Sequence, residues 1–223
     1  DKLLYRAIKA DKISSVIFYG PPGTGKTTLA KVIANTTSAE FTQINATVAG
    51  KKDMEEVVAK AKDLQGMYGK RTILFIDEIH RFNKSQQDAL LGAVEDGTIV
   101  LIGATTENPS FEVITPLLSR CQVFVLKSLA VEDLQNLLNR AITTDEILKH
   151  RQIEVKETDA LFRHSAGDAR KLLNILEIVV GSFVGNVPVI IDNKTVTSCL
   201  QENIAIYDKG GEMHYDVISA FIK

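Results

Sequence analysis

Hydrophobic positions up to Leu126 form short continuous runs that alternate with amphipathic stretches. The continuous runs predict buried strands at Val16–Tyr19, Phe41–Asn45, Thr72–Ile76, Ile99–Ala104 and Gln122–Leu126. Apolar residues at helical spacing predict helices at Lys26–Asn35, Lys52–Gln65 and Gln86–Glu95. Continuously apolar strands separated by helices are typical of a parallel sheet that is covered on both faces. This pattern predicts an α/β fold for the first part of the chain.

The pattern beyond Leu126 changes to helical periodicity alone. It predicts helices at Val131–Ala141, Thr158–His164, Ala169–Val180 and Thr195–Gln201, with a surface turn at Gly181–Pro188. We therefore predict an α/β domain over residues 1–127 and a small all-helical domain over residues 128–203. The chain begins inside a helical pattern and ends inside an apolar one, so we expect it to be a fragment of a longer protein.

Composition and charge narrow the class of protein. The chain has 223 residues, of which 45% are hydrophobic and 24% charged, which suits a soluble globular protein. No apolar run approaches the roughly 18 residues that span a bilayer, so we expect no membrane partner. The two cysteines, Cys121 and Cys199, form no CxxC pair, which argues against a zinc site or a disulfide framework. With a net charge of −2, any contact with nucleic acid needs a local basic patch.

The segment between the first predicted strand and the first predicted helix fits the phosphate-loop pattern GxxxxGK(S/T). It reads Gly20-Pro21-Pro22-Gly23-Thr24-Gly25-Lys26-Thr27-Thr28. Glycines let the backbone approach phosphate oxygens, and N–H groups at a helix start point at them. Lys26 supplies charge to the β- and γ-phosphates, and the Thr27 hydroxyl can coordinate Mg²⁺. A glycine-rich turn without a ligand is the alternative, but the order of strand, loop and helix favours a nucleotide site.

Two carboxylates follow the third predicted strand. Asp77 at such a strand end can help to hold Mg²⁺, and Glu78 can take a proton from an attacking water. The alternative is an acidic turn, and the phosphate loop upstream favours the catalytic interpretation. His80 gives the spacing Asp-Glu-Ile-His seen in some helicases, but we favour a polar turn residue, because the helical part has no second nucleotide-binding sheet. A metal site through His80 lacks a partner at ligand spacing.

Taken together, these residues resemble the AAA+ ATPases, and more narrowly their clamp-loader branch. Thr105-Thr106 lie where that family carries the polar sensor 1, and the residues leave open which threonine has this role. Ser119-Arg120-Cys121 resembles the SRC motif, whose arginine reaches the neighbouring subunit's nucleotide. Gly167-Asp168-Ala169-Arg170 resembles the start of the lid helix, with Arg170 as sensor 2. The resemblance implies a P-loop AAA+ core with a parallel sheet flanked by helices, a helical lid, and ATP with Mg²⁺ as ligands.

Longer motifs are similar to those of one family within this branch, the RarA/MgsA replication-associated recombination ATPases. The stretches are 77–88, 103–111 and 207–216. This family resembles the eukaryotic Werner-helicase-interacting ATPase. Its members carry a segment upstream of Asp1 that helps to hold adenine, and a C-terminal oligomerisation domain, of which residues 204–223 resemble the start.

The resemblance implies a DNA-dependent ATPase that acts at stalled or gapped replication forks. Its implied partners are gapped, forked or single-strand/double-strand junction DNA, single-strand-binding protein and further copies of itself, as a tetramer in the full-length protein. Its implied location is the bacterial cytoplasm at the nucleoid, or the nucleus of a eukaryote. A clamp-loader or helicase-loader subunit that remodels a protein partner is the alternative function, and a nucleotide-binding scaffold with little turnover is a third.

Several of these residues also suit plainer roles. Arg120 also fits a surface arginine beside a strand, with Cys121 filling core space. Arg170 also fits a plain first-turn helix residue, although the helix dipole disfavours a cation there. Candidate phosphate contacts to DNA are Lys51, Lys52, Arg81 and Lys84 at two helix starts. A solvated charged face is their alternative, since acidic residues follow Lys52 closely.

Overall fold

The chain forms two compact units, Asp1–Lys127 and Ser128–Lys223. The computed structural model describes residues 2–10, 12–185 and 187–209. None of the helices within these ranges is long and apolar enough to cross a membrane. Part of the motif at 207–216 therefore lies outside the described residues, as does most of the segment 204–223.

The first unit is a five-stranded parallel sheet with helices between the strands. Its strands are β1 (Val16–Tyr19), β2 (Glu40–Asn45), β3 (Thr72–Asp77), β4 (Ile99–Thr105) and β5 (Gln122–Val125), in the spatial order β2-β3-β4-β1-β5. Its helices are α1 (Lys2–Lys9), α2 (Lys26–Thr36), α3 (Lys51–Tyr68), α4 (Lys84–Glu95), α5 (Pro109–Glu112) and α6 (Thr115–Leu118), with a 3-10 turn at Ile79–Arg81. The predicted parallel α/β fold and its five strands are confirmed.

Alternate residues of the strands face two separate cores, as expected for a sheet covered on both faces. Ile17 of β1 lies in one cluster with Leu74 and Leu101. Its neighbour Phe18 lies in the other cluster with Phe75. The sheet is therefore buried on both sides, which explains the continuously apolar strands in the sequence.

The second unit is mainly helical. It contains α7 (Val131–Thr144), a 3-10 turn at Leu148–His150, α8 (Asp159–Ser165), α9 (Ala169–Gly181) and α10 (Asn193–Lys209). Its core is formed by α7, α8, α9 and α10, around residues such as Leu138, Leu161 and Leu176.

The prediction of an all-helical second domain is wrong in one respect. Two short strands, β6 (Ile153–Val155) and β7 (Val189–Ile191), pair in parallel, with Ile153 opposite Val189. Val189 and Ile191 are fully buried. Strands of three residues are too short to produce a periodic signal, so the sequence pattern missed them.

Candidate active site

The carboxyl ends of the strands bring the sequence motifs to one edge of the sheet. Tyr19, which precedes the phosphate loop, is in register with Thr105, and Asn45 is in register with Asp77. Strand β4 lies between β3 and β1, so the residues after β4 lie between the acidic pair and the phosphate loop. Ligands of open α/β sheets bind at this edge.

Glycines shape the phosphate loop for two different reasons. Gly23 and Gly25 have φ angles of 68° and 86°, in the left-handed region that favours glycine, and Gly25 directly precedes α2. Gly20 instead lacks space, because a Cβ placed there would lie 2.2 Å from the carbonyl oxygen of Leu126. The amide of Gly20 donates to the carbonyl oxygen of Thr105 at 3.2 Å, which ties the loop to β4.

Lys26 is buried within the loop that it closes. Its Nζ donates to the carbonyl oxygens of Gly20 and Pro21, both at 2.7 Å, and its exposed fraction is 8%. The Thr24 hydroxyl donates to the Pro21 oxygen at 3.0 Å. The result is a tight turn with a cation at its centre and a helix start at its end, and this arrangement fits an anionic phosphate group.

The donors around the loop also fit Mg²⁺. Thr27 is half-buried in the first turn of α2, and Asp77 is half-buried at the end of β3, whereas Thr28 is exposed. Hydroxyl and carboxylate oxygens are ligands that Mg²⁺ accepts, together with phosphate and water oxygens. In the described ranges, no three His, Cys, Asp or Glu side chains gather in a group that could hold a metal. Such an ion would therefore need oxygens from the nucleotide and water.

Glu78 has an unusual backbone conformation for its residue type. Its φ and ψ angles are 56° and 46°, in the left-handed region, where residues other than glycine are uncommon. Residues in such strained conformations cluster at functional sites. Its carboxylate Oε2 lies 3.2 Å from Nε2 of His80.

His80 lies deeper than its interpretation as a polar turn residue indicated. Its side chain is 9% exposed, and its Nδ1 lies 3.0 Å from the Thr105 hydroxyl. Sequence reasoning missed this contact, because it joins the 3-10 turn after β3 to the end of β4, and the two residues are 25 positions apart along the chain. The only local signal was the Glu-x-His spacing before a helical turn.

The two candidate sensor threonines have different surroundings. Thr105 is fully buried, and its hydroxyl is engaged by His80 and by the backbone of Glu107. Thr106 is half-buried. Thr106 therefore has the greater access to a ligand.

Arg120 is exposed and pairs with Glu95 at the end of α4. It also donates to the carbonyl oxygen of Pro116 at 2.6 Å and to the Ser119 hydroxyl at 3.3 Å. Cys121 beside it is half-buried, and burial raises the pKa of its thiol to about 11. Cys121 packs against the core as a small apolar group, while Arg120 remains accessible to another molecule.

Arg170 belongs to the second unit. It is exposed and follows the first residue of α9, whose start is capped by Asp168, with a carboxylate that accepts from the Lys171 amide at 3.0 Å. Gly167 leads into this cap with a φ angle of 79°, in the left-handed region that favours glycine. A side chain would also lack space there, since a Cβ on Gly167 would lie 2.7 Å from Cβ of Ser128. The fold thus gives Arg170 a fixed place at a helix start.

The candidate DNA contacts lie at two neighbouring helix starts. Lys51, Lys52, Arg81 and Lys84 are all exposed. The side chain of Gln86 in the first turn of α4 donates to the carbonyl oxygen of Ala49, just before α3, at 2.8 Å, so these starts are adjacent. Nζ of Lys51 lies 3.7 Å from Oε1 of Glu55, and this acidic neighbour weakens the positive charge of the four basic residues.

Two family patterns together match most of the chain. The sequence pattern of the ATPase family associated with various cellular activities (AAA) matches residues 16–129. The pattern of the AAA C-terminal domain matches residues 148–223.

Curated relatives match the whole chain. Replication-associated recombination protein A of Coxiella burnetii is 46% identical over 100% of this chain and 51% of that protein. The protein of the same name from Escherichia coli K12 is 44% identical over 100% of this chain and 51% of its own length. ATPase WRNIP1 of Dictyostelium discoideum is 40% identical over 100% of this chain and 28% of that protein. The chain thus spans about half the length of these bacterial relatives.

A solved structure shows the same architecture. The Thermotoga maritima RuvB Holliday junction branch migration motor is 28% identical, with a TM-score of 0.71 over 89% of this chain and 65% of that chain. The RuvB T158V variant gives a TM-score of 0.72 at 28% identity, over 90% of this chain and 67% of that one.

Proposed function

Because the chain belongs to the AAA family of ATPases and, within it, to the replication-associated recombination protein A family, we propose that it hydrolyses ATP in a DNA-dependent manner at stalled or gapped replication forks. The observation that carries this proposal is the meeting of three motifs at one sheet edge. The phosphate loop, Asp77-Glu78 and Thr105-Thr106 follow three adjacent strands.

The phosphate loop binds the triphosphate. Lys26 exchanges the two loop carbonyl oxygens for phosphate oxygens, and the amides at the start of α2 complete the cradle. Thr27 and Asp77 hold Mg²⁺, which when bound neutralises charge on the transferred phosphoryl group. Binding of the triphosphate therefore requires Lys26 to give up two hydrogen bonds within the loop.

Glu78 is the group that accepts the proton of the attacking water. Of the two threonines, we assign the contact with the γ-phosphate or its water to Thr106, since the Thr105 hydroxyl is engaged by His80 and Glu107. Arg120 acts on the nucleotide of a neighbouring copy, where a guanidinium is worth roughly 10³–10⁵ in rate. Arg170 matches the sensor 2 arginine of the family, and its role toward phosphates stays a prediction.

DNA contacts come from the adjacent starts of α3 and α4. Their exposed lysines and Arg81 suit phosphates and read no sequence. The names of the relatives, which refer to replication and recombination, support this assignment. We propose that the complete protein works as a homo-oligomer, a tetramer, with single-strand-binding protein as a partner in the bacterial cytoplasm.

The test is ATP turnover by the complete protein, with and without gapped DNA, for wild type and Glu78→Gln. We expect DNA to raise turnover, and Glu78→Gln to lower kcat by about 10²–10⁴-fold, because proton transfer is lost, while ATP binding persists. Glu177→Gln, an exposed change on α9, is the matched control and keeps wild-type turnover.

Two results would contradict the proposal. If Glu78→Gln leaves phosphate release unaltered, the assignment of Glu78 as the catalytic base is wrong. A nucleotide-binding scaffold with little turnover is then favoured. If the stimulation of ATP turnover requires a sliding clamp in addition to DNA, the clamp-loader function is favoured.

A further inference from the structure

We propose that His80 is a positioning residue that holds the carboxylate of Glu78 in place for hydrolysis, and that Thr105 in turn holds the imidazole ring. This inference rests on the proposed role of Glu78 as the base. The contacts that carry it are the 3.2 Å approach of His80 Nε2 to Glu78 Oε2 and the 3.0 Å approach of His80 Nδ1 to the Thr105 hydroxyl.

Glu78 needs such a partner because its side chain is partly open to solvent. Its side chain is 37% exposed, whereas that of His80 is 9% exposed. A half-exposed glutamate samples several rotamers, and most of them place the carboxylate away from the position in which it accepts a proton from water. A hydrogen bond from a nearly buried ring removes this freedom at Oε2 and leaves the other carboxylate oxygen for water.

The ring itself is fixed by the fold. His80 lies in the 3-10 turn that follows Glu78, next to Ile79, which is fully buried. Ile79 packs so closely against β4 that a Cβ on Gly103 would lie 3.1 Å from its Cδ1. At the end of the same strand, Thr105 is fully buried, and its hydroxyl oxygen accepts from the Glu107 amide at 3.0 Å. The turn that carries His80 is thus held against β4, and Thr105 is fixed at the end of that strand.

Hydrogen-bond chemistry then selects one tautomer. An ionised carboxylate only accepts hydrogen bonds, so the Nε2 atom that faces Glu78 must carry the hydrogen. The other ring nitrogen, Nδ1, lies 3.0 Å from the Thr105 hydroxyl. That hydroxyl donates to the Glu107 carbonyl oxygen at 3.1 Å and accepts from the Glu107 amide at 3.0 Å, so it is held at a fixed place beside the ring. Thr105 therefore acts on Glu78 through the ring.

The experiment compares His80→Ala, His80→Gln and Thr105→Val in the complete protein with gapped DNA. We expect His80→Ala to lower kcat by about 10–100-fold, the size of effect that a 1 Å misplacement produces, with an unchanged dissociation constant for ATP. His80→Gln recovers most of the loss, because its amide N–H can donate to Glu78. Thr105→Val lowers kcat in the same direction, and Thr105→Ser does not.

A double-mutant cycle with Glu78→Gln separates this role from a general structural one. If His80 acts through Glu78, His80→Ala causes no further loss in the Glu78→Gln background. An equal loss in both backgrounds, or wild-type kcat in His80→Ala, overturns the inference. If Glu78→Gln itself keeps wild-type kcat, it is the proposed function that fails. Circular dichroism and the ATP dissociation constant identify a variant that has lost its fold, and Thr105→Val then decides the question.

Discussion

At the scale of single residues, Gly20 shows why the phosphate loop begins with a glycine. The absence of a side chain lets the phosphate loop pass directly over the end of β5, where the Leu126 carbonyl would otherwise lie 2.2 Å from a Cβ. The requirement is steric, because Gly20 is absent from the glycines with a positive φ angle.

We expect Gly20→Ala to lower the free energy of unfolding by about 1–3 kcal/mol, because backbone atoms must move to admit the methyl group. Urea denaturation measures this change. Gly92→Ala is the matched control, since Gly92 lies in α4 with no atom within 4 Å of its Cβ position. Alanine there should raise stability by about 0.5–1 kcal/mol. Equal effects at the two positions would contradict the steric argument.

Residues that act within one short segment were predictable from the sequence, and residues that act across segments were not. The phosphate loop is contiguous, so its pattern, its preceding strand and its following helix could be predicted together. The contacts of His80 with Thr105 and of Arg120 with Glu95 each join positions 25 residues apart. No local pattern encodes such a pair, because it depends on which strands and helices become neighbours.

At the scale of elements, Gln87 fastens α4 to the segment that follows β4. It is 1% exposed. Its amide nitrogen donates to the carbonyl oxygens of Phe82 at 3.0 Å and Glu112 at 2.9 Å, and its oxygen accepts from the Ile114 amide at 2.9 Å. One side chain therefore satisfies three backbone groups from two segments.

Replacement of Gln87 by leucine should lower the free energy of unfolding by about 2–4 kcal/mol, since each buried backbone group left without a partner costs about 1–3 kcal/mol. Gln65→Leu, on the exposed face of α3, is the control and should change stability by less than about 0.5 kcal/mol. Chemical denaturation of both variants tests the prediction. A loss under 1 kcal/mol at Gln87 would show that these groups find other partners.

Element boundaries show what sequence patterns miss. The pattern predicted the start of α4 at Gln86, whereas the helix begins at Lys84, because Asn83 and Gln86 form a reciprocal cap. The strands β6 and β7 were missed altogether, since each offers three residues and their pairing is non-local. Apolar periodicity predicted the positions of the longer elements. It did not predict their ends, because side-chain hydrogen bonds determine where a helix begins.

At the scale of the whole molecule, each unit has a core of its own. The core of the second unit includes Leu138, Leu161 and Leu176. The cores of the first unit lie on the two faces of its sheet. The sequence predicted a parallel sheet but not the order of its strands, because the order depends on which distant segments pair.

We expect residues 128–223, produced alone, to give a helical circular dichroism spectrum and a cooperative thermal transition. Leu176→Ala, at a side chain 1% exposed, should destabilise this fragment by about 2–5 kcal/mol through the cavity that it leaves. Leu173→Ala, on the same helix but 38% exposed, is the control and should have a much smaller effect. A fragment without a cooperative transition would mean that its core needs the first unit.

The position of β1 between β4 and β5 determines when the nucleotide site can form during protein synthesis. Both neighbours of β1, the strands β4 and β5, come much later in the chain. At about 5–20 residues per second, translation needs roughly 5–20 seconds to pass from Gly20 to Leu126. Until β4 and β5 are made, β1 lacks both of its neighbouring strands, and the phosphate loop lacks the hydrogen bond from the Gly20 amide to Thr105. The nucleotide site can therefore form only after Leu126 has been synthesised.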